Sequence, residues 1–188
     1  MVKKILIITG IIIVSFALYV LYILATTRNH SPQQEIEFNG PGDLKINIVY
    51  CRPYKKDRDI FGSGLHDYLV PYNVPWRTGA NEATEIEFNQ DVKLNGSTLE
   101  KGQYSIYTIP GENEWIVAIN SKTDYWGAQV GGGSPFDESL DVLRTTVPSM
   151  KQDPPDEQFT IRFEEKGDHV EWSMAWDNVR IVVPVEAL

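Results

Sequence analysis

Apolar and polar residues alternate along most of the chain after about residue 34, and this period of two constrains the fold more than any other feature. Leu44, Ile46 and Ile48 are separated by single intervening residues, and Thr84–Phe88 repeats the pattern. Such alternation is typical of a β-strand with one face in a core and one face in water. The chain is therefore predicted to consist mainly of strands.

Turn-forming residues connect several of these predicted strands into hairpins. Asn95-Gly96 lies between the segments 92–94 and 97–99, and an Asn-Gly pair favours a two-residue turn because both of its positions require positive φ. The segments 103–109 and 115–120 are separated by a Pro-Gly turn. We predict that these two segments pair with each other.

The C-terminal third contains three segments with one apolar face each, at residues 159–163, 170–176 and 179–185. We predict that they form an antiparallel meander, preceded by an exposed loop over 150–157, because paired prolines resist both helix and sheet. The apolar face of such a meander must be covered by a second sheet. The expected fold class is all-β, a single-domain antiparallel β-sandwich.

An uninterrupted apolar run, Ile5–Leu24, precedes the β-rich region and contains no charged residue. Its length matches the roughly 20 residues needed to cross a bilayer as a helix. Lys3 and Lys4 come directly before it, which favours an N-terminus in the cytoplasm and the remainder outside. We therefore predict one N-terminal transmembrane helix, with the following domain extracytoplasmic.

Two other kinds of N-terminal segment share some of these properties. A cleaved secretory signal has a shorter apolar core and a small-x-small cleavage site, for which Ile23-Leu24-Ala25 is a poor match. A bacterial lipoprotein requires a cysteine directly after the apolar run, and the one cysteine of the chain is Cys51. We favour an uncleaved anchor over both, with residues 1–27 as the anchor, 28–34 as a linker and 35–188 as the domain.

The charge of the β-rich region restricts its partners. From Ser31 onward the chain has 26 acidic and 14 basic residues, a formal charge of −12. Nucleic acid is not expected as a partner because its phosphates require a basic surface, and docking to anionic lipid is disfavoured. Cys51 has no second cysteine for an internal disulfide and lies in a predicted strand, so we expect a buried thiol.

The segment Trp76–Thr84 (WRTGANEAT), which we call the polar signature, has neither strand nor helix period. As a binding site, Arg77 would clamp a carboxylate or phosphate, with Asn81 and Glu82 orienting polar groups. As a structural element, Arg77 would pair with Glu82 inside the loop, Asn81 would adopt a left-handed turn and Thr84 would bond to backbone. The sequence leaves both interpretations open.

A basic cluster precedes the polar signature and contrasts with the acidic domain. Its members are Arg52, Lys55, Lys56 and Arg58. The cluster would hold an anionic ligand or position the domain at a phosphate-rich surface; alternatively, it is a solvated loop neutralised by the interleaved aspartates. The most specific hypothesis is a joint site that combines Arg52 and Arg58 with Arg77.

The aromatic residues fall into two groups with different predicted roles. Trp115, Trp172 and Trp176 follow the strand pattern, so we expect them in the core. Planar rings also stack on sugar faces, and a glycan platform is one interpretation of the remaining aromatics. That platform would consist of Trp76, Tyr72, Tyr68, Tyr125 and Trp126, with Trp115 beside them.

Catalytic and metal-binding patterns are weak. His66 is the only histidine placed to act as a base in a serine triad. No His/Cys group has zinc spacing, and the acidic residues of 137–141 are more typical of a solvated loop than of a calcium site. We predict no metal and no cofactor.

The order of several motifs identifies a family resemblance. Besides the polar signature, the motifs are Tyr50–Pro53, Arg58–Gly62, Leu69–Tyr72, Lys101-Gly102, Thr108–Pro110, Trp126-Gly127 and Asp141–Arg144. They resemble the DUF2911 family, a domain of unknown function found mainly in Bacteroidetes. The resemblance covers about residues 44–185 and implies an exported bacterial domain, with no established activity. For an anchored chain, this implies a domain on the periplasmic side of the inner membrane. The chain departs from the pattern at Cys51, where the family often has a small residue, and in its anchor, where many members have a cleaved signal.

Three functions are compatible with these observations. The first is a membrane-anchored module that binds a small anionic, glycan or peptide ligand, or another envelope component; its candidate residues are Arg52, Arg58, Trp76, Arg77, Asn81 and Glu82. The second is a hydrolase with Glu82 as general base. The third is a structural or assembly domain in which the polar signature is buried and satisfied. The burial of Arg77 and Glu82 separates the three.

Overall fold

The computed structural model describes residues 2–64, 67–125 and 136–188, which form one long helix followed by β-strands. The helix, α1, covers Val2–His30. The strands in chain order are β1 (Gln33–Asn39), β2 (Lys45–Cys51), β3 (Phe61–Gly62), β4 (Val70–Pro71), β5 (Thr84–Phe88), β6 (Val92–Leu94), β7 (Ser97–Leu99), β8 (Gly102–Ile109), β9 (Glu114–Asn120), β10 (Asp141–Pro148), β11 (Met150–Lys166) and β12 (His169–Ala187).

The longer strands form two sheets. Sheet A has the order β1-β2-β5-β8-β9-β10, and sheet B has the order β11-β12-β6-β7. All pairings within these two sheets are antiparallel, whereas β3 and β4 form a separate parallel pair. The predicted fold, an all-β sandwich after a single N-terminal helix, is confirmed.

The alternating apolar residues supply the core. Ile46 and Ile48 of β2 are at most 1 % exposed, and they belong to the same buried cluster as residues of β9 and β12. Trp115, Trp172 and Trp176 are at most 2 % exposed, which confirms their predicted packing role. Burial of side chains of this size supplies most of the stabilisation of a domain without disulfides.

The predicted hairpins are present. β6 and β7 pair through the Asn95-Gly96 turn, in which φ is 47° at Asn95 and 81° at Gly96. Two consecutive positive φ angles characterise a two-residue hairpin turn that matches the strand twist. β8 pairs with β9, as predicted for the segments 103–109 and 115–120.

The prediction of a three-stranded meander in the C-terminal third is wrong, because the second and third predicted strands form one continuous strand, β12. The large buried apolar side chains in β12 fall on even positions up to Trp176 and on odd positions from Ile181. The change occurs at Asp177, where φ is 53° and the pairing register with β11 shifts. A bulge adds one residue without turning the chain, so the apolar side changes from even to odd numbers.

The prediction of a loop over residues 150–157 is also wrong, since this segment is the first part of strand β11. Lys151 pairs with Val179 and Asp156 pairs with Asp177, so the residues between them, including Pro154 and Pro155, fall in a bulge. A proline at a bulge does not interrupt the ladder, because no hydrogen bond is required from its nitrogen.

The helix α1 exposes its apolar surface. Every side chain from Lys3 to Ile23 is exposed, and α1 is long and apolar enough to cross a membrane, as an anchor or a signal sequence would be. α1 reaches His30 and β1 begins at Gln33, so Ser31 and Pro32 alone separate them. The segment 28–34, expected as a linker, thus includes the end of α1 and the start of β1.

Candidate functional site

A cavity of about 700 Å³ lies where α1 meets the sandwich, and we call it the junction cavity. Its walls come from the C-terminal end of α1, the loop that follows β2, the start of β4 and the polar signature. The volume is within the range of small-molecule sites, about 300–1,000 Å³. The fold therefore brings two members of the predicted basic cluster, Lys56 and Arg58, to the same place as the polar signature.

The described lining of the junction cavity carries positive charge. Lys56, Arg58 and Arg77 contribute three cations, and none of the described lining residues is acidic. The Lys56 Nζ lies 3.0 Å from His30 Nδ1 on α1. Arg58 donates from Nε to the carbonyl of Lys55 at 2.9 Å and from Nη2 to the carbonyl of Tyr54. These cations stand out in a domain whose net charge is strongly negative.

Arg77 is the least exposed of the three cations. Burial lowers the pKa of its guanidinium below the usual value, although an arginine remains protonated in proteins. The lowered pKa reports the cost of removing a cation from water. A negative charge placed in the cavity would offset part of that cost.

Trp76 forms an apolar wall of the cavity and is anchored on both sides. Its ring stacks on Trp176 with a centroid distance of 5.9 Å and meets Phe159 edge-on at 5.0 Å. Its indole Nε1 donates to the carbonyl of Gly79 at 3.1 Å. Packing and hydrogen bonding therefore fix the ring as a rigid wall.

The interior of the polar signature is a structural network, as one of the two interpretations predicts. Thr84 Oγ1 donates to the carbonyl of Thr78 at 2.7 Å, and Thr78 Oγ1 bonds to Thr108 Oγ1 at 3.2 Å. Asn81 has φ of 59° and donates from Nδ2 to the carbonyl of Ser31 at 3.3 Å. The polar signature thus has two sides: the threonines face inward, while Trp76 and Arg77 face the cavity.

Glu82 has partners other than the one expected for it. Its Oε1 forms an ion pair with Arg28 Nη2 at 2.7 Å. The structural interpretation of the polar signature predicts an ion pair with Arg77 instead. Its Oε2 accepts from Cys51 Sγ at 3.3 Å. Glu82 lines a separate cavity of about 350 Å³ rather than the junction cavity. It therefore links the end of α1 to β2.

Arg52 is the member of the predicted joint site that the structure separates from the others. Its Nε donates to the carbonyl of Phe159 at 3.1 Å and its Nη2 donates to Thr160 Oγ1 at 2.8 Å. These bonds connect the end of β2 to β11 across the two sheets. Of the predicted site residues, the junction cavity brings together Arg58, Trp76, Arg77 and Asn81.

Cys51 is buried, as expected from the sequence, and its thiol is free. Burial raises the pKa of the thiol above its usual value, and the Glu82 carboxylate acts in the same direction. Alkylation requires an accessible thiolate. The folded protein should therefore protect this side chain from modification.

We expect native protein at pH 8 to react with iodoacetamide at least about 100-fold more slowly than protein unfolded in guanidinium chloride, because both access and ionisation are suppressed. Mass spectrometry gives an unambiguous readout, since the chain has one cysteine. Equal rates in the two states would contradict the buried position.

A second polar network, which the sequence did not indicate, crosses sheet A at β8, β9 and β10. Asp141 accepts from Tyr107 OH at 2.6 Å and from Asn120 Nδ2 at 2.7 Å, and Arg144 Nη2 donates to Tyr107 OH at 2.9 Å. Burial raises the pKa of Tyr107, as does its bond to Asp141, so the hydroxyl keeps its proton. We call these four residues the Tyr107 network.

Two other predicted features fall outside the described residues, namely the candidate base His66 and the candidate ring Trp126. Among residues 2–64, 67–125 and 136–188, no group of three or more His, Cys, Asp or Glu side chains is arranged to hold a metal ion. Asp137 caps a short 3₁₀ turn through Ser139, and Asp141 belongs to the Tyr107 network.

Comparison with known proteins identifies one family. Its model, described as "Protein of unknown function (DUF2911)", matches residues 31–185. No curated protein and no solved structure that was compared matches the chain. The matched region starts directly after α1 and contains both the polar signature and the Tyr107 network.

Proposed function

The chain belongs to the DUF2911 family, and on that premise we propose that it is a membrane-anchored module that binds an anionic ligand in the junction cavity. The observation that carries the proposal is the charge of that cavity. Lys56, Arg58 and Arg77 line it without a described carboxylate, although the domain has a formal charge of −12. A local excess of cations in an acidic domain attracts anions to one place.

The composition of the cavity also favours a ligand with an apolar part. Trp76 and Leu69 contribute apolar surface, whereas Trp176 and Val70, which also border the cavity, are only 1 % and 3 % exposed. Ligand sites commonly combine apolar walls with a few convergent polar groups that fix orientation. An anion joined to an apolar or ring-shaped moiety, such as an acidic sugar, would use both parts of the lining.

The anchor is part of the proposal, because α1 supplies one wall of the site. Thr27 and His30 line the junction cavity, and Arg28 pairs with Glu82 of the sandwich. If α1 were cleaved off as a signal sequence, the cavity would lose one wall and the Arg28–Glu82 ion pair would be lost. We infer that α1 stays attached and that the domain lies outside the cytoplasm, as Lys3 and Lys4 favour.

A hydrolase that uses Glu82 as general base has less support. Both carboxylate oxygens of Glu82 have partners, Arg28 and Cys51, and Glu82 does not line the junction cavity. A general base requires a free lone pair directed at the substrate or at a water. The binding function is therefore the better account of this site.

Inorganic phosphate should raise the melting temperature of the full chain in detergent micelles, because a ligand that binds only the folded state stabilises it by mass action. At ten times the dissociation constant the expected gain is about 1.4 kcal/mol, or roughly 3–5 °C. The measurement is a thermal-shift titration, with glucose as a neutral comparison.

The control separates the cavity from general charge effects. The double variant Lys56→Gln/Arg58→Gln should lose most of the shift, whereas Lys101→Gln/Lys151→Gln, which removes the same charge from exposed positions elsewhere, should keep it. A shift that survives in the first variant, or no shift with any anion, would refute binding at this site.

A further inference from the structure

We infer that the anion received by the junction cavity is the phosphate of an anionic phospholipid in the leaflet where α1 ends. The inference rests on the proposed function and specifies its ligand. The cavity would then hold a lipid headgroup at its cationic side and the start of the lipid's apolar part at its tryptophan side. The source of the ligand is the membrane itself rather than the surrounding solution.

The length of α1 places the cavity at headgroup depth. α1 has 29 residues, which at about 1.5 Å per residue gives about 43 Å, comparable with the roughly 40–45 Å of a bilayer including its headgroups. The apolar run ends at Leu24, and the cavity wall begins at Thr27. The wall therefore starts one helical turn beyond the hydrocarbon region.

A direct contact fixes the depth of one cation. The Lys56 ammonium lies 3.0 Å from the His30 ring, and His30 is six residues beyond Leu24, about 9 Å along the helix axis. The headgroup layer is roughly 5–8 Å thick on each side. Lys56 therefore lies near the outer boundary of that layer, at the level where a phosphate can be reached by a flexible side chain.

The charges around the cavity favour the binding of a phosphate, although the C-terminal end of α1 opposes it. The C-terminus of α1 carries a partial charge of about −0.5, which opposes an anion. Lys56, Arg58 and Arg77 carry three full positive charges around the same cavity. The cations outweigh the helix end even when they are partly screened by solvent.

The rim of the cavity adds an apolar contact. Leu69 is 44 % exposed and lines the cavity beside Val70. An exposed leucine next to cations at headgroup depth matches the composition of surfaces that lie at a membrane interface. The acidic remainder of the domain is repelled by anionic lipid, so this edge is the part of the sandwich that can approach it.

The test uses the full chain in nanodiscs made either of phosphatidylcholine or of an equimolar mixture of phosphatidylcholine and phosphatidylglycerol. After mild detergent release, native mass spectrometry measures which lipid stays bound. We expect wild-type protein from mixed discs to retain phosphatidylglycerol preferentially. Replacing both Lys56 and Arg58 by glutamine should lower the ratio of phosphatidylglycerol to phosphatidylcholine adducts about 25-fold, at about fivefold per cation.

Two further variants make the result specific. Lys101→Gln/Lys151→Gln should keep the wild-type ratio within about twofold, since single charges far from the site contribute little. Lys56→Glu alone changes one exposed side chain, so it should fold even if the double variant does not. It should lower the ratio at least about tenfold, because it reverses a charge instead of removing it.

The outcomes distinguish failure of this inference from failure of the proposed function. Equal retention of both lipids, together with stabilisation by inorganic phosphate, would overturn the lipid source and leave a dissolved anion as the ligand. Equal retention without stabilisation by phosphate would overturn both. Preferential retention that persists in Lys56→Glu would place the lipid elsewhere on the chain and would also overturn the inference.

Discussion

Replacing Gly79 by alanine is expected to lower the free energy of unfolding by about 3 kcal/mol, from backbone strain and from steric overlap. Gly79 has φ of 152°, which a residue with a side chain rarely adopts. An added Cβ would lie 2.9 Å from the carbonyl oxygen of Cys51 and 3.1 Å from Thr84 Oγ1. The first neighbour is backbone of β2, which cannot move without disturbing sheet A.

The measurement is urea denaturation of the full chain in detergent micelles, followed by tryptophan fluorescence. Gly96→Ala is the matched control, since Gly96 also has positive φ but an added Cβ would meet open space. Strain alone should cost about 1 kcal/mol there. If the two variants were equally stable, close packing of the polar signature against β2 would not be the reason for glycine at position 79.

The second large effect is expected at Asp141. Substitution by alanine should cost about 3–4 kcal/mol, because it leaves buried donors without their shared acceptor. Tyr107 and Asn120 are at most 1 % exposed, and both donate to Asp141. Arg144 would also lose the carboxylate that its Nε faces at 3.2 Å.

Graded substitutions separate loss of the acceptor from loss of charge. Asp141→Asn keeps one acceptor for Asn120 and should cost only about 1–2 kcal/mol, whereas Glu165→Ala at an exposed position should stay within about 0.5 kcal/mol of wild type. Thermal and urea unfolding provide the comparison. A small loss for Asp141→Ala, similar to that of Glu165→Ala, would show that water replaces the carboxylate at no cost.

Much of the fold can be predicted from the sequence because its signals are local. The Asn95-Gly96 turn needs two positive φ angles, and these two residue types tolerate them. Period-two alternation in the strands around Ile46 and Ile86 assigns one face to the core without knowledge of strand order. The same signals cannot order the strands in a sheet, because pairing partners lie far apart in the chain.

The errors arise where one local pattern has two structural solutions. After Trp176 the apolar residues move from even to odd positions, and a turn or a bulge would give the same pattern. The bulge at Asp177 requires β11 as a partner with its own irregularity at Pro154 and Pro155. That match between two strands is a tertiary property.

At the candidate site, too, the types of residue could be predicted from the sequence, but their partners could not. The basic cluster and the polar signature were identifiable because their charge and lack of period contrast with the surrounding strands. The sequence did not show which of the basic residues line the same cavity. Arg52 bonds to Phe159, which is 107 residues away, while Lys56 reaches His30 on α1. Such pairs depend on the packing of sheets and helix rather than on spacing.

If α1 stays in the membrane, as we propose, the two residues between α1 and β1 determine how far this protein can act from the bilayer. Ser31 and Pro32 give no free length, because the carbonyl of Ser31 accepts from Asn81 Nδ2 and that of Pro32 accepts from the backbone of Arg52. The domain consequently cannot extend outward on a tether. Its reach is about one domain diameter, roughly 40 Å, and its orientation follows any tilt or rotation of the helix. A protein anchored in this way would meet its partners at the membrane surface, where encounters take place by diffusion in two dimensions.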